Sequence, residues 1–315
     1  MRWSAPLLLA ACGVAAGLGL PAAPRRMKGA RGTAVRGGAT MAVGASVAAA
    51  LQSGVCGVPV LAGVAAVVLT PLTMYRQAYS FSVGYGASVA SMAVVLGVTF
   101  PGRCSTVGGQ LALATGLYGF RLAGYLLKRQ LDVPDIAERL RAFDKTPYLK
   151  RLPLIASVAI FYAMMCSPVL YALRSPVPPG TVQHAVAVAG CACAYAGAAI
   201  EAVADQQKSM LKATAIATSA PGTFHGPSGG VYSKCRHPNY AGEVLFWFGL
   251  FLGGVPSFGW QVLPYVTGTL GLFGITSIML SATKRLDAKQ ADKYGGQPSF
   301  EVWKKKTGAL LPKLL

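Results

Sequence analysis

Seven mostly apolar runs, at 42–70, 79–99, 108–127, 153–173, 181–204, 241–256 and 259–280, limit what this chain can fold into. A helix needs about 20 apolar residues to cross the hydrocarbon core of a bilayer. Inside that core every backbone N–H and C=O must be satisfied by the segment itself or its neighbours. The pattern therefore predicts an all-α polytopic membrane helix bundle with about seven transmembrane helices. The first run is long and rich in glycine and alanine, which leaves it open to tilting or breaking, and the sixth is short. Charged residues make up 12% of the chain, against about 25% in a soluble domain, and the mean hydropathy is +0.48.

Loop charges orient the runs. Residues 128–152 carry seven basic groups, 205–240 carry four and the tail after 280 carries eight, whereas 100–107 and 174–180 carry one each. One basic face, shared by loops 71–78, 128–152, 205–240 and the tail, fits seven crossings. The net charge of +19 is split among short loops and builds no basic domain, so no nucleic-acid partner is expected. The partners implied are a lipid bilayer and a lipophilic small molecule. Seven scattered cysteines argue against a disulfide framework. Cys191 and Cys193, two apart on a helix, point to different sides, and three histidines supply no metal site.

Residues 1–20 resemble a secretory apolar segment. Residues 21–40, with Arg25, Arg26, Lys28, Arg31 and Arg36 and no acid, resemble an organelle transit peptide. Together, 1–40 look like the two-part presequence of a protein sent to a plastid membrane through the secretory route. A retained anchor, with the endoplasmic reticulum as destination, is the alternative. Residues 41–107 hold the amino-terminal transmembrane helices.

Three polar clusters interrupt the apolar pattern. Glu201, Asp205, Lys208 and Lys212 are spaced 4, 3 and 4, one stripe of a continuous helix leaving the membrane on the basic side. Such a stripe is either a set of interfacial ion pairs or a wall that orients a ligand, with lysines on phosphate and carboxylates on amide or hydroxyl groups. Arg236-His237-Pro238-Asn239-Tyr240, followed by Gly242 and Glu243, lies where a basic loop becomes an apolar run. Pro238 suits a first helical turn, which puts Asn239 and Tyr240 at a helix amino terminus, a place that favours anions. Tyr118, Arg121 and Tyr125 share one face of the third run, where an arginine marks either a functional site or a snorkelling side chain.

These residues carry a resemblance. Glu201-x-x-x-Asp205-x-x-Lys208-x-x-x-Lys212, Gly229-Gly230-x-Tyr232 and the Arg236–Glu243 stretch resemble the carboxyl-terminal part of steroid 5-alpha-reductase-like proteins, closest to their bacterial and algal branch. The resemblance covers roughly residues 108–315, which it reads as one carboxyl-terminal membrane domain. It implies seven spans and a cavity for NADPH open to the cytosolic side. Glu201, Asp205 and Lys212 would hold the cofactor's head groups. Asn239 would contact its nicotinamide side, with Glu243 behind. Lys208, Tyr232, Arg236, His237 and Tyr240 belong to the same cofactor-binding set, as do Arg121 and Tyr125. In the tail, Arg285 and Tyr294 match positions usual for the family. Tyr118 would be catalytic, polarising a substrate carbonyl. The chain departs from the steroid enzymes in two places. The run 79–99 has no acid, with Ser82 and Tyr85 where relatives place Asp and Trp, and Lys212 stands for an arginine.

The implied activity is NADPH-dependent reduction of a C=C bond in a lipophilic enone, steroid-, prenyl- or other lipid-like. Two alternatives come from other classes. His-Pro-x-Tyr also occurs in membrane methyltransferases that use S-adenosylmethionine, of the isoprenylcysteine or phospholipid type. These usually follow their last span with adjacent glutamates, whereas the run from Ser281 to Asp287 contains none. The missing acid in 79–99 favours the other alternative, a non-catalytic lipid-binding membrane protein.

Overall fold

The computed structural model describes residues 44–218 and 222–313, with the side chains of residues 134, 135 and 212–218 outside the description. The presequence expected over 1–40 lies outside the described residues. The chain divides into two compact units, Met1–Pro176 and Val177–Leu315. Among the described residues all regular structure is helical, so this is an all-α membrane helix bundle.

In the first unit, helical residues 44–52 precede α1 (Gly57–Tyr75), α2 (Val83–Thr99), α3 (Val107–Asp132), the short α4 (Pro134–Ala142) and α5 (Leu152–Arg174). The second unit contains α6 (Val182–Thr218), α7 (Pro238–Gly254), α8 (Val262–Tyr294) and the short α9 (Pro298–Lys306). Each of the seven expected runs holds a helix. Among the described residues, four helices are long and apolar enough by themselves to cross a bilayer: Gly57–Tyr75, Tyr148–Arg174, Val182–Leu211 and Val262–Tyr294. α2 is apolar but has 17 residues, α7 also has 17, and α3 carries Arg121 within its length and Lys128 and Arg129 near its end.

The first run breaks. Helical residues 44–52 end at a turn with Gly54 at φ +81°, and α1 starts afresh at Gly57. The last carbonyls of a helix lack partners within it. Arg174, at the far end of α5, supplies them. Its guanidinium donates to the carbonyls of Ala50 at 3.0 Å, Leu51 at 2.6 Å and Gly54 at 3.0 Å.

A second arginine closes the other end of this unit. Arg151, 5% exposed, donates to the Thr73, Met74 and Thr146 carbonyls. Asp144 accepts from Arg76 Nη1 at 2.9 Å and from the Gln77 backbone N–H at 2.6 Å. The basic loop after α4 is thereby tied to the carboxyl end of α1. The core beneath includes Val68, Leu72, Tyr79, Val83 and Ala123, with Leu140 of α4 packed on it.

Candidate functional site

The geometry of the second unit follows from small residues. α6 and α7 run antiparallel with Gly190 against Gly253, Ala194 against Gly249, Gly197 against Phe246 and Glu201 against Gly242. A Cβ on Gly190, Gly197 or Gly249 would collide with backbone of the facing helix, and one on Gly242 would lie 2.7 Å from the Glu201 nitrogen. Small residues let membrane helices approach backbone to backbone, where dispersion contacts hold them. This contact also fixes the register. One turn beyond the Glu201–Gly242 contact, Asp205 comes level with the start of α7.

The polar stripe and the Arg-His-Pro-Asn-Tyr cluster are therefore brought together at one end of this seam. Glu201, Asp205 and Glu243 are 3%, 6% and 7% exposed, and His237 is 2% exposed. Lys208 is half-buried and close enough for its charge to act on the His237 ring. Tyr232 is buried and its hydroxyl donates to the Ala204 carbonyl at 3.2 Å. The Val231 N–H donates to Gln207 Oε1 at 3.2 Å. The glycine loop is thus pinned to α6 one turn above Glu201. Pro238 opens α7 as expected. Asn239, in the first turn, has a buried Oδ1 with no hydrogen-bond partner among the described residues. The Lys212 side chain lies outside the described residues.

Arg236 and His237 have a partner that no motif announced. Arg236 grips Asp287 of α8 with two nitrogens, Nε to Oδ1 at 3.1 Å and Nη2 to Oδ2 at 2.8 Å, and its Nη1 donates to the Thr307 carbonyl at 2.6 Å. His237 Nε2 meets Asp287 Oδ1 at 2.8 Å, and the ring stacks on Tyr240 with centroids 5.7 Å apart. The loop backbone is stitched to the tail as well. Arg236 N–H donates to the Gly308 carbonyl and His237 N–H to that of Ala309. Trp303 Nε1 donates to the Tyr232 carbonyl at 2.8 Å. Beside these, Phe224, Tyr294, Phe300 and Trp303 form an aromatic cluster, so Tyr294 belongs to the packing that holds the tail. The signal for Asp287 was present in the sequence as the lone acid of the Ser281–Asp287 run, but nothing local connects it to residues fifty positions earlier. Arg285, on the same helix, is exposed.

Burial lowers the His237 pKa below its ordinary value, and the nearby Lys208 and Arg236 charges act the same way. Contact with Asp287 opposes the shift without cancelling it. The fold therefore favours the neutral imidazole over the charged one. Between the depressed value and the ordinary one, about 6.5, the unfolded chain binds the extra proton, so stability is full above that window and falls as pH drops through it. We expect the melting temperature to fall between pH 7.5 and pH 5.5, and His237→Asn to flatten that dependence. A wild-type melt that does not change over this range would contradict the assignment.

In the first unit, Tyr118, Arg121 and Tyr125 share α3 as expected. Tyr118 is 1% exposed, with the Arg121 guanidinium 5.6 Å from its ring centre, and Arg129 lies 5.6 Å from the Tyr125 ring. In the run that lacks an acid, the Tyr85 ring lies tilted against that of Tyr162 with centroids 4.9 Å apart. Tyr162 in turn donates to the Ser80 carbonyl at 2.6 Å.

No curated protein and no solved structure matches the chain. One family does, described as a protein of unknown function (DUF1295), and its match runs over residues 72–307. That span takes in α2 to α9 whole, with Tyr118, the α6–α7 seam and the Arg236–Asp287 contact, and on it the chain belongs to the DUF1295 family.

Proposed function

We propose that this protein is an integral membrane reductase that uses NADPH to saturate a C=C bond in a lipophilic enone. The observation that carries the reading is the buried, unpartnered Asn239 Oδ1 at the start of α7, one turn from the buried carboxylates of Asp205 and Glu201. A buried acceptor without a donor is costly. The carboxamide N–H of a nicotinamide is a donor of the right kind. Glu201 and Asp205 can accept from ribose hydroxyls and Lys208 can face phosphate, a role the resemblance extends to Lys212 and Arg285. The first turn of α7 adds free N–H groups and a positive dipole end. Arg236 and His237, held by Asp287, position this turn. Tyr232 and Tyr294 fix the loop and the tail, Tyr240 backs the His237 ring, and Glu243 stands one turn below Asn239. The resemblance alone adds Arg121 and Tyr125 of α3 to the cofactor-binding set.

The cofactor, when bound, supplies a hydride to the carbon beta to the carbonyl. The displaced electron pair moves to the carbonyl oxygen, and the resemblance gives Tyr118 the role of donating its O–H to the growing negative charge there. A proton from solvent then completes the alpha carbon.

Thermal stabilisation separates the readings, because a ligand that binds only the folded state raises its stability by about 2.7 kcal/mol at a hundred times its Kd. In purified detergent-solubilised protein, NADPH is expected to raise the melting temperature, and S-adenosylmethionine is not. Asn239→Ala and Asp205→Asn should abolish the NADPH shift. Tyr118→Phe should keep the shift and lose most turnover of an enone. A shift with S-adenosylmethionine alone would replace the reductase by a methyltransferase. No shift with either would leave a lipid-binding protein.

A further inference from the structure

The first unit contains a cavity of about 420 Å³ that no sequence motif announced. It runs along the facing sides of α2 and α3, from Phe120 to Phe100, Cys104 and Gln110 at the loop end. Two glycines in its wall, Gly97 and Gly116, make the room. A Cβ on Gly97 would meet nothing within 4 Å, and one on Gly116 would touch only the Ala93 Cβ, at 3.6 Å. The rest of the wall is almost wholly apolar. Leu113, Leu117 and Phe120 are 50%, 56% and 47% exposed, so the cavity opens sideways on a face that a membrane bundle turns to hydrocarbon. Its size is that of a ligand site. Arg103 adjoins Cys104 on the loop. It is half-buried and makes no ion pair or side-chain hydrogen bond among the described residues.

We propose that this cavity binds one hydrocarbon chain of a phospholipid whose phosphate sits at the Arg103 loop. The shape argues for a single chain, since the space is long, apolar and open along its side. The polarity argues for its direction, since Gln110, Cys104 and the uncommitted Arg103 cation all lie at one end. A chain laid in the space gains dispersion contacts along both helices that an annular lipid, free to exchange, does not keep. The site is independent of the reading given to the second unit.

The test uses the full chain in nanodiscs of phosphatidylcholine with a trace of phosphatidylglycerol that carries a diazirine in one acyl chain. After illumination, adducts are mapped by peptide mass spectrometry. Label should concentrate on residues 93–97 and 113–120. Gly97→Phe and Gly116→Leu, which fill the space, should each lower that labelling about tenfold, as for a loss of one decade in affinity. Arg103→Gln should lower it for phosphatidylglycerol. Gly63→Phe adds the same bulk to an exposed glycine of α1 with nothing within 4 Å, and should leave labelling unchanged. If Gly97→Phe is poorly folded by its melt, the smaller Gly97→Leu takes its place. Labelling spread evenly onto Val266, Leu270 and Phe273 of α8, and indifferent to the filling substitutions, would mean annular lipid and overturn the proposal.

Discussion

Gly197→Val is expected to destabilise the second unit by about 3 kcal/mol or more, since overpacking against backbone leaves few ways to relax. The added Cβ would strike the Phe246 nitrogen, and would lie 2.6 Å from the Gly242 carbonyl. Neither neighbour is the end of a flexible side chain. The helices would have to part, and parting them strips contact from the whole ladder of Gly190, Ala194, Gly249 and Gly253. Gly197→Ala should show a smaller loss of the same kind. Gly63→Val, at an exposed glycine with open space around it, should change the melt little. The measurement is the midpoint of thermal unfolding in detergent, with monodispersity by size exclusion. A Gly197→Val protein that melts with wild type would show that the helices are not held at this distance.

The second large effect is expected at Asp287. Removing one partner of a buried charged pair leaves the other uncompensated, at a cost of about 3–5 kcal/mol. The Arg236 and Asp287 side chains are 12% and 23% exposed, so Asp287→Ala is expected near the lower end, about 3 kcal/mol. Asp287→Asn keeps an acceptor for Arg236 and His237 and should lose roughly half as much. The structural readout is local. Trp303 should leave its contact with the Tyr232 carbonyl, seen as a shift in tryptophan emission, and residues 295–313 should become open to protease. If the tail stays protected in Asp287→Ala, the arginine clamp does not hold it.

What could be read from the sequence was periodic or local. All seven apolar runs hold helices because bilayer thickness and apolar length are the same physical fact. The stripe Glu201–Lys208 lies on one continuous helix because spacings of 4 and 3 are the helical repeat. Pro238 begins α7 because its ring suits a first turn. What escaped was long-range or defined by missing atoms. That the first run could break was legible from its glycines and alanines, but not that Arg174, more than a hundred residues on, stabilises the break at 53–56. Asp287 meets Arg236 across fifty positions, so Arg236 and His237 read as ligand groups when their nearest partner is an acid of this chain. The tail's aromatic cluster and the cavity beside Gly97 and Gly116 have no period at all, the second because glycine leaves no side chain to see.

The stitching of Arg236 and His237 to Gly308 and Ala309 has a consequence for biosynthesis. The loop ahead of α7 emerges from the ribosome some seventy residues before the strip that fastens it. By then α7 and α8 have been offered to the translocation machinery. The turn bearing Asn239 must wait in a loose state until residues 303–309 arrive. Membrane insertion and completion of this corner are separate events, and a nascent chain stalled before Trp303 should be integrated yet unfinished.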